Sequence, residues 1–144
     1  MLYKIRTAET GDAESIYQFI CQLEETSFDK ERFTTMFEAN INHAGHYYLV
    51  ATEQEKIIGF ISCHIQQLLH HCAKVAEIQE LFVEEAYRKS GVGKLLVHTL
   101  EQLLLTNGCI NLEVTAQNKR LQTHVFYEQL EFKGTHKKFV KQLS

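Results

Sequence analysis

The sequence predicts an α/β fold in which a central mixed β-sheet, of the α+β kind, carries helices on both faces. Segments that alternate with period two are interspersed with segments of helical period, in the order β-α-α-β-β-β-α-β-α-β. Near the middle, a strand at residues 78–83 is followed by a glycine-bearing turn and a helix. The 144 residues contain no internal repeat or linker, so we expect a single domain spanning residues 1–144.

The first half of the chain predicts a strand, two helices and a hairpin. Residues 3–6 alternate as a short strand, and Asp12 and Asp29 are suitable N-caps for two helices. Residues 47–52 and 57–65 then predict two strands joined by a polar turn. The apolar stripes of the two helices are Ile16, Phe19, Ile20 and Leu23 in the first, and Phe33, Met36, Phe37 and Ile41 in the second.

The second half begins with a polar, histidine-rich segment at residues 66–74, which we expect to be a loop leading into the central strand. A helix begins at Val92, after the glycine turn, and ends at Asn107-Gly108. Residues 110–114 alternate as a further strand. The apolar positions of the helix are Val92, Leu95, Leu96, Thr99, Leu100, Leu103 and Leu104.

The chain is expected to end with a helix and one or two closing strands. Asn118 is a suitable cap for a helix at residues 119–129. Phe132 and residues 137–143 should then complete the sheet. The inward-facing positions of this last helix are Leu121, Val125 and Phe126.

The composition is ordinary for a globular domain and excludes several classes of partner. A net charge of −3 argues against a nucleic-acid binder that works by bulk attraction. No apolar run approaches the roughly 18 residues of a membrane span, and the N-terminus lacks a signal-peptide core. The four cysteines form no Cys-x-x-Cys pair, which indicates reduced thiols. We therefore expect a cytoplasmic protein with no nucleic-acid or membrane partner.

The glycine-bearing turn predicts a phosphate-binding site. Gly91 and Gly93 lie at the start of a helix, where unpaired N–H groups and the helix dipole attract anions. Arg88, Lys89 and Lys94 add positive charge around it. An ordinary strand-to-helix turn, in which the glycines only relieve crowding, is the alternative at this point.

Two common nucleotide motifs do not fit this turn. A Walker P-loop would need a glycine where the chain has Arg88 and a serine or threonine where it has Leu95. The dinucleotide fingerprint would need a small residue in place of Leu96. The anion that this turn binds must therefore be inferred from another pattern.

Two stretches resemble signatures of the GCN5-related N-acetyltransferase (GNAT) family. The hexad Arg88-Lys89-Ser90-Gly91-Val92-Gly93, directly after a Leu-x-Val strand, is similar to the family's acetyl-CoA signature. Residues 114–118 followed by 126–132 are similar to its downstream motif, with Glu131 in place of a glycine. The element order matches as well, so the resemblance covers essentially the whole chain and implies the GNAT acyl-CoA N-acyltransferase fold.

The resemblance implies an enzyme that transfers an acetyl group from acetyl-CoA, its co-substrate, to a primary amine by direct attack. His70-His71, residues 77–81 and the Ile20-Cys21-x-Leu23 pattern are similar to members that acetylate aminoalkylphosphonates. A small-molecule amine of that class is therefore the expected acceptor. The alternatives are a protein or peptide acceptor, and a CoA-binding regulatory module without chemistry. A homodimer is the common default for such a chain.

Under this resemblance, the turn and the strand before it bind acetyl-CoA. Backbone N–H groups at the helix start neutralise the pyrophosphate, and the strand pairs with the pantetheine arm. The N–H of Phe82 or Val83 polarises the thioester carbonyl, and Asn118 either bonds the pantetheine amides or caps the helix. The expected binding residues are Leu81, Phe82, Val83, Arg88, Lys89, Ser90, Gly91, Val92, Gly93, Lys94 and Asn118.

Three residues are expected to move protons. An amine with a pKa near ~10.4 arrives protonated, so a base must take its proton; Glu80 is the favoured candidate and Glu77 the alternative. Tyr127 matches the family's general acid for the departing thiolate. Because alternate positions of a strand face opposite sides, only one carboxylate can face the substrate unless a bulge intervenes, as the resemblance implies. The structural alternatives are an ion pair with Lys74 and, for Tyr127, core packing.

His64, His70 and His71 invite a metal-site interpretation. Adjacent histidines on a strand are poorly placed to bind one ion, and no Cys or Asp completes a set, so we expect a surface loop and name no metal ligand. The kinship with aminoalkylphosphonate enzymes nevertheless leaves open a divalent metal near Glu77 and Glu80.

Overall fold

The computed structural model describes residues 2–144, which form one five-stranded sheet and four α-helices. The strands are β1 (Tyr3–Thr7), β2 (His46–Glu53), β3 (Lys56–Leu68), β4 (Ala73–Val83) and β5 (Asn111–Val114). The helices are α1 (Ala13–Glu24), α2 (Lys30–Ile41), α3 (Val92–Thr106) and α4 (Leu121–Gln129). Within residues 2–144, no helix combines the length and the apolar character that a bilayer span requires.

The sheet is mixed, as predicted. Its strand order is β1-β2-β3-β4-β5. The pairs β1–β2, β2–β3 and β3–β4 are antiparallel, whereas β5 runs parallel to β4. The pairing of β4 with β5 covers Val75 to Ile78, and β4 then continues to Val83 beyond the end of β5. A gap, called the splay below, therefore opens between these two strands.

Helices cover both faces of the sheet, which confirms the predicted architecture. On one face, α1 and α2 enclose an apolar cluster that includes Phe19, Phe37 and Phe60. On the other, Leu96 and Leu100 of α3 lead a second cluster, against which α4 also packs. Burial of apolar surface at about 25 cal/mol per Å² is the main term that holds these helices on the sheet.

A bulge at Gln79 interrupts the alternation of β4. In the register with β3, Ser62 pairs with Glu80 and His64 pairs with Glu77, so two steps along β3 match three along β4. Ser62 and His64 lie on one face because they are two residues apart. Their partners therefore share that face, and Glu77 and Glu80 both lie on the side of the sheet that α1 and α2 cover.

The prediction of a loop over residues 66–74 is wrong. β3 continues to Leu68 and β4 begins at Ala73, so the connection is a tight turn at residues 69–72, with Cys72 at φ 49°. The polar side chains of this segment belong to a hairpin that extends beyond the helices. Their polarity reflects exposure of the hairpin rather than absence of regular structure.

The predicted start of the last helix is also wrong. α4 begins at Leu121 with Arg120 at its N-cap, and Asn118 lies in the preceding turn, which the Arg120 N–H closes on the Gln117 carbonyl at 3.0 Å. A periodic stripe does not reveal which of its edges faces solvent. Four positions assigned to apolar stripes are in fact exposed: Met36, Leu103, Leu121 and Val125.

The closing strands predicted from Phe132 and residues 137–143 do not form. The described residues after Gln129 contain neither strand nor helix, and Phe139, Val140 and Leu143 are exposed. Alternation alone does not make a strand, because strand backbone groups need a neighbour for their hydrogen bonds.

The turn after α4 keeps a glycine-like conformation although a glutamate occupies it. Glu131 adopts a left-handed φ of 71°, and the N–H of Phe132 bonds the Tyr127 carbonyl at 3.0 Å. This hydrogen bond closes the helix in the way that a C-terminal glycine usually allows. The departure of Glu131 from the family pattern therefore leaves the geometry of the turn intact.

Candidate active site

A cleft of about 170 Å³ lies at the splay between β4 and β5. The end of α1 and the inner face of α4 close its sides, so residues distant in sequence meet there. The structure brings Glu80 and Tyr127, two of the predicted catalytic residues, to this one cleft. Its polar and apolar lining includes Leu23, Glu24, Gln79, Glu80, Leu81, Thr115, Gln117, Arg120, Thr123 and Tyr127.

Glu80 is a half-buried carboxylate with a dedicated hydrogen-bond partner. The hydroxyl of Ser62, which is fully buried, donates to Glu80 Oε1, and the Glu80 N–H donates to Ser62 Oγ at 3.0 Å. Burial raises the pKa of Glu80 above its ordinary value, and the bond from Ser62 opposes that rise. A carboxyl group with a raised pKa is a stronger base once ionised, which suits proton abstraction from an ammonium.

Glu77 shares the face of Glu80 but lies at a different level of the sheet. It stands where β4 and β5 are still paired, opposite Glu113, and accepts a hydrogen bond from Thr115 Oγ1 at 3.2 Å. Lys74, the cation considered as a structural partner, donates instead to the side chain and backbone carbonyl oxygens of Asn107 at 2.8 and 3.2 Å. Of the two predicted carboxylates, Glu80 is therefore the one that lines the cleft.

Tyr127 lies on the inner face of α4 and is 7% exposed. Its ring makes edge-to-face contacts with Phe126 and Phe132, with centroid distances of 5.2 and 5.3 Å. Burial raises the pKa of Tyr127 to about 12. The phenol is therefore protonated at neutral pH, and Tyr127 lines the cleft.

Backbone groups of β4 also line the splay. The N–H of Glu84 bonds the carbonyl of Ile58 in β3 at 2.9 Å. In an antiparallel pair, every second residue directs its N–H toward the same neighbouring strand. The N–H of Phe82 therefore also faces β3, whereas the N–H groups of Leu81 and Val83 face the splay. The N–H of Phe82 or of Val83 was expected beside a thioester. Of these two, the N–H of Val83 is the one that faces the splay.

Backbone donors at the start of α3 lack acceptors within the helix. The first intrahelical bond runs from the Leu95 N–H to the Gly91 carbonyl at 2.9 Å. The N–H groups of Val92, Gly93 and Lys94 precede that bond and so have no acceptor within the helix. Together with the positive end of the helix dipole, they form the kind of site that binds a diphosphate.

The two glycines of this turn serve different purposes. Gly91 is the N-cap and has a φ of 89°, which residues with a side chain rarely adopt, although a Cβ there would meet open space. Gly93 is covered by α4, since a Cβ would lie 3.2 Å from Phe126 Cζ. Gly93 thus lets α4 pack against the start of α3.

Polar residues of the turn fix its shape. Arg88 Nε donates to the last carbonyl of β4 at 2.8 Å, which holds the guanidinium beside the strand end. The N–H and the hydroxyl of Ser90 both donate to the Tyr87 carbonyl. Lys89 and Lys94 are exposed at the helix start, where their charge adds to that of the backbone donors.

Arg120 reaches the cleft and was not predicted from the sequence. Its Nη2 lies 3.3 Å from the Leu23 carbonyl oxygen and 3.9 Å from Glu24 Oε2. A cation directly before the helix that carries Tyr127 was the available signal, but the contact spans 97 positions of sequence. Asn118, the predicted binding residue in the same turn, is exposed.

The histidines do not converge on a metal site. His64, which lies within the strand predicted over residues 57–65, is half-buried in β3. Its Nε2 lies 3.2 Å from the Tyr48 hydroxyl, and its ring stacks on that of His46 with the ring centroids 3.7 Å apart. Burial lowers the pKa of His64, which favours the neutral imidazole. His70 and His71 occupy the exposed turn, as predicted. Residues 2–144 contain no group of three or more His, Cys, Asp or Glu side chains placed to hold a metal ion.

Known proteins resemble this chain in sequence and in fold. The sequence profile of the acetyltransferase (GNAT) family matches residues 13–132. The aminoalkylphosphonate N-acetyltransferase of Salmonella typhimurium is 33% identical over 97% of this chain and 91% of that protein. The glucosamine 6-phosphate N-acetyltransferase of Arabidopsis thaliana is 28% identical over 88% of this chain and 87% of that protein.

A solved structure gives the same architecture. A protein from Bacillus halodurans C-125, described as a transcriptional regulator, superposes with a TM-score of 0.89 at 23% identity and covers 98% of this chain and 99% of that one. At 23% identity, this similarity shows a shared fold alone.

Proposed function

The chain belongs to the acetyltransferase (GNAT) family and is an acetyl-CoA-dependent N-acetyltransferase, and we propose that its acceptor is the primary amine of a small molecule that carries a phosphonate. The observation that carries the proposal is the meeting of Glu80, Tyr127 and Arg120 in one cleft. A base, an O–H donor and a cation together suit an acceptor with an ammonium at one end and an oxyanion at the other.

The names of the relatives support this class of acceptor. One is named for aminoalkylphosphonates and another for glucosamine 6-phosphate, and both substrates join a primary amine to a phosphorus oxyanion. The first relative covers nearly the whole chain at 33% identity. We therefore place aminomethylphosphonate and 2-aminoethylphosphonate first among the candidate acceptors.

The residues present fit acetyl-CoA. N–H groups of Val92, Gly93 and Lys94 would hold the diphosphate, because they lack acceptors within α3. The exposed edge of β4 at Leu81 and Val83 would hold the pantetheine amides by strand-like hydrogen bonds. When bound, acetyl-CoA supplies an acyl thioester whose carbonyl carbon accepts the amine and whose thiolate departs.

Glu80 and Tyr127 then divide the proton chemistry. Glu80 takes a proton from the substrate ammonium, directly or through one water, which frees the nitrogen lone pair for attack. The Val83 N–H faces the splay and can donate to an oxygen that gains negative charge there. The Tyr127 phenol stays protonated because its pKa is raised to about 12, so it can donate its hydrogen bond to the departing sulfur.

The proposal is tested by a thiol-release assay with acetyl-CoA and a panel of amines. The panel contains aminomethylphosphonate, 2-aminoethylphosphonate and glucosamine 6-phosphate, their counterparts without the phosphorus group, and lysine-containing peptides. Each amine is assayed after treatment with chelator and again with added divalent metal. We expect kcat/KM for the phosphonates to exceed that for the matched amines by about tenfold or more, as an ion pair with a cation would give.

Other outcomes would contradict the proposal. Acetylation of peptides with no turnover of small amines would assign a protein acceptor. Binding of CoA without turnover of any amine, and without any effect of Tyr127→Phe, would indicate a regulatory module that lacks chemistry.

A further inference from the structure

The charges at the cleft are arranged in two groups. Among the described residues that line it, Glu24 and Glu80 are the carboxylates and Arg120 is the cation. Glu80 is bonded to Ser62 of β3, whereas Arg120 and Glu24 face each other between α4 and the end of α1. The cleft therefore has a basic oxygen on the sheet side and a guanidinium on the helix side.

The partner that Arg120 has in this structure is a weak one. The Nη2 atom lies 3.9 Å from Glu24 Oε2, at the outer limit of an ion pair, and the Glu24 side chain is 48% exposed. An exposed pair of this kind contributes little stability because water and salt screen it. A guanidinium has five N–H donors, and both contacts described for Arg120 use Nη2.

The backbone on either side holds this pair across the mouth of the cleft. Arg120 is fixed by two main-chain bonds, one from its own N–H to Gln117 at 3.0 Å and one from the His124 N–H to its carbonyl at 3.2 Å. On the other side, α1 ends where Glu25 turns to a left-handed φ of 54°, which leaves Glu24 on the last turn. Both side chains thus project from fixed helix ends.

We infer that Arg120 binds the anionic group of the acceptor, and that Glu24 is the resting counter-ion that this group displaces. The inference rests on the proposed function, whose acceptor carries a phosphonate. A phosphonate offers three oxygens and up to two charges, so it matches the fork of an arginine better than one carboxylate oxygen at 3.9 Å does. With the anion at Arg120, the ammonium of a short substrate is directed toward Glu80.

This arrangement makes Arg120 a specificity residue rather than a catalytic one. Its removal should weaken binding of acceptors that carry an oxyanion and leave neutral amines and acetyl-CoA unaffected. Removal of the Glu24 charge should have the opposite effect, because the phosphonate no longer competes with a carboxylate.

The test compares 2-aminoethylphosphonate with propylamine in wild-type protein, Arg120→Gln, Arg120→Lys and Glu24→Gln. Arg32→Gln, which removes an exposed arginine of α2, is the matched control. We expect Arg120→Gln to raise KM for the phosphonate about tenfold to a hundredfold while KM for propylamine and acetyl-CoA changes less than about twofold. Arg120→Lys should lie between, since lysine keeps the charge but loses the fork. Glu24→Gln should lower KM for the phosphonate about twofold.

A binding measurement separates this inference from the proposed function. Ethylphosphonate, which has no amine, should raise the melting temperature of wild-type and Arg32→Gln protein but not of Arg120→Gln. If the wild type acetylates no phosphonate yet shows this Arg120-dependent shift, the inference stands and the proposed acceptor is wrong. If it acetylates phosphonates and Arg120→Gln changes KM equally for both amines, Arg120 has only a structural role and the inference is overturned.

Discussion

Replacing Ser62 by alanine should move the acid limb of the pH–rate profile to higher pH without lowering the rate on the plateau. The Ser62 hydroxyl donates to the Glu80 carboxylate, and Ser62 is fully buried, so no water can take its place without rearrangement. Burial raises the pKa of Glu80 and this bond lowers it. Without the hydroxyl, burial acts unopposed and the base is protonated over a wider range of pH.

The size of the effect follows from the strength of the lost bond. A hydrogen bond to a charged group contributes about 1.5–3 kcal/mol. Since about 1.4 kcal/mol corresponds to a factor of ten, the ionised fraction of Glu80 at a pH on the acid limb should fall about tenfold or more. Above that limb the carboxylate is ionised in both proteins, so kcat/KM should agree within about twofold there.

The assay is thiol release at limiting acceptor, measured from pH 5 to 9 for Ser62→Ala and for Thr34→Ala. The control removes a hydroxyl that donates to a backbone carbonyl in α2. Urea unfolding gives a second readout, because the hydrogen bond from Ser62 stabilises the ionised Glu80 carboxylate more than the protonated carboxyl. The loss of stability should be larger at pH 7 than at pH 4, where Glu80 is mostly protonated. An acid limb that stays in place in a folded variant would show that ionisation of Glu80 does not control the rate.

Three further predictions concern the same site. The pKa of Glu80 is raised in the folded protein, so the stability that its carboxyl contributes is present below the ordinary carboxyl pKa and is lost as pH rises. Glu80→Gln should therefore raise the urea midpoint at pH 7 but not at pH 4. The same substitution should lower kcat about a hundredfold or more, because the base is lost. Tyr127→Phe should lower kcat by a similar factor with KM for acetyl-CoA unchanged, since the ring packing remains, and an unaltered kcat would remove Tyr127 from the mechanism. Gly93→Ala should destabilise the fold by about 1–3 kcal/mol in urea titrations, because the added methyl group contacts Phe126. Phe126→Leu should restore stability in this variant. It should not restore stability in Gly91→Ala, where the cost is backbone strain.

The parts of the fold that follow from local patterns could be predicted. The stripe of α3 begins at Val92 directly after a glycine turn, and both signals concern neighbouring residues. The family resemblance placed Glu80 and Tyr127 in motifs, and the structure brings both to the cleft. The tail at residues 137–143 shows the limit of local pattern, because its alternation suits a strand but no strand forms there.

The residues that sequence reasoning missed act through contacts between distant segments. Ser62 looks like one small residue within an apolar strand, and only the register with β4 places its hydroxyl beside Glu80. Arg120 looks like a solvated charge before a helix, and only the packing of α1 beside α4 brings it to Glu24. Neither contact leaves a periodic signal, because the partners belong to different elements.

The bulge at Gln79 makes the number of residues in β4 as important as their identity. Gln79 is exposed and lines the cleft, so a substitution there changes one side chain of the site but leaves the register of the strand in place. Deletion of this one residue would instead give the strand an unbroken alternation and rotate one of the two glutamates into the apolar layer beneath α3. Natural variation at this position should therefore include substitutions more often than insertions or deletions.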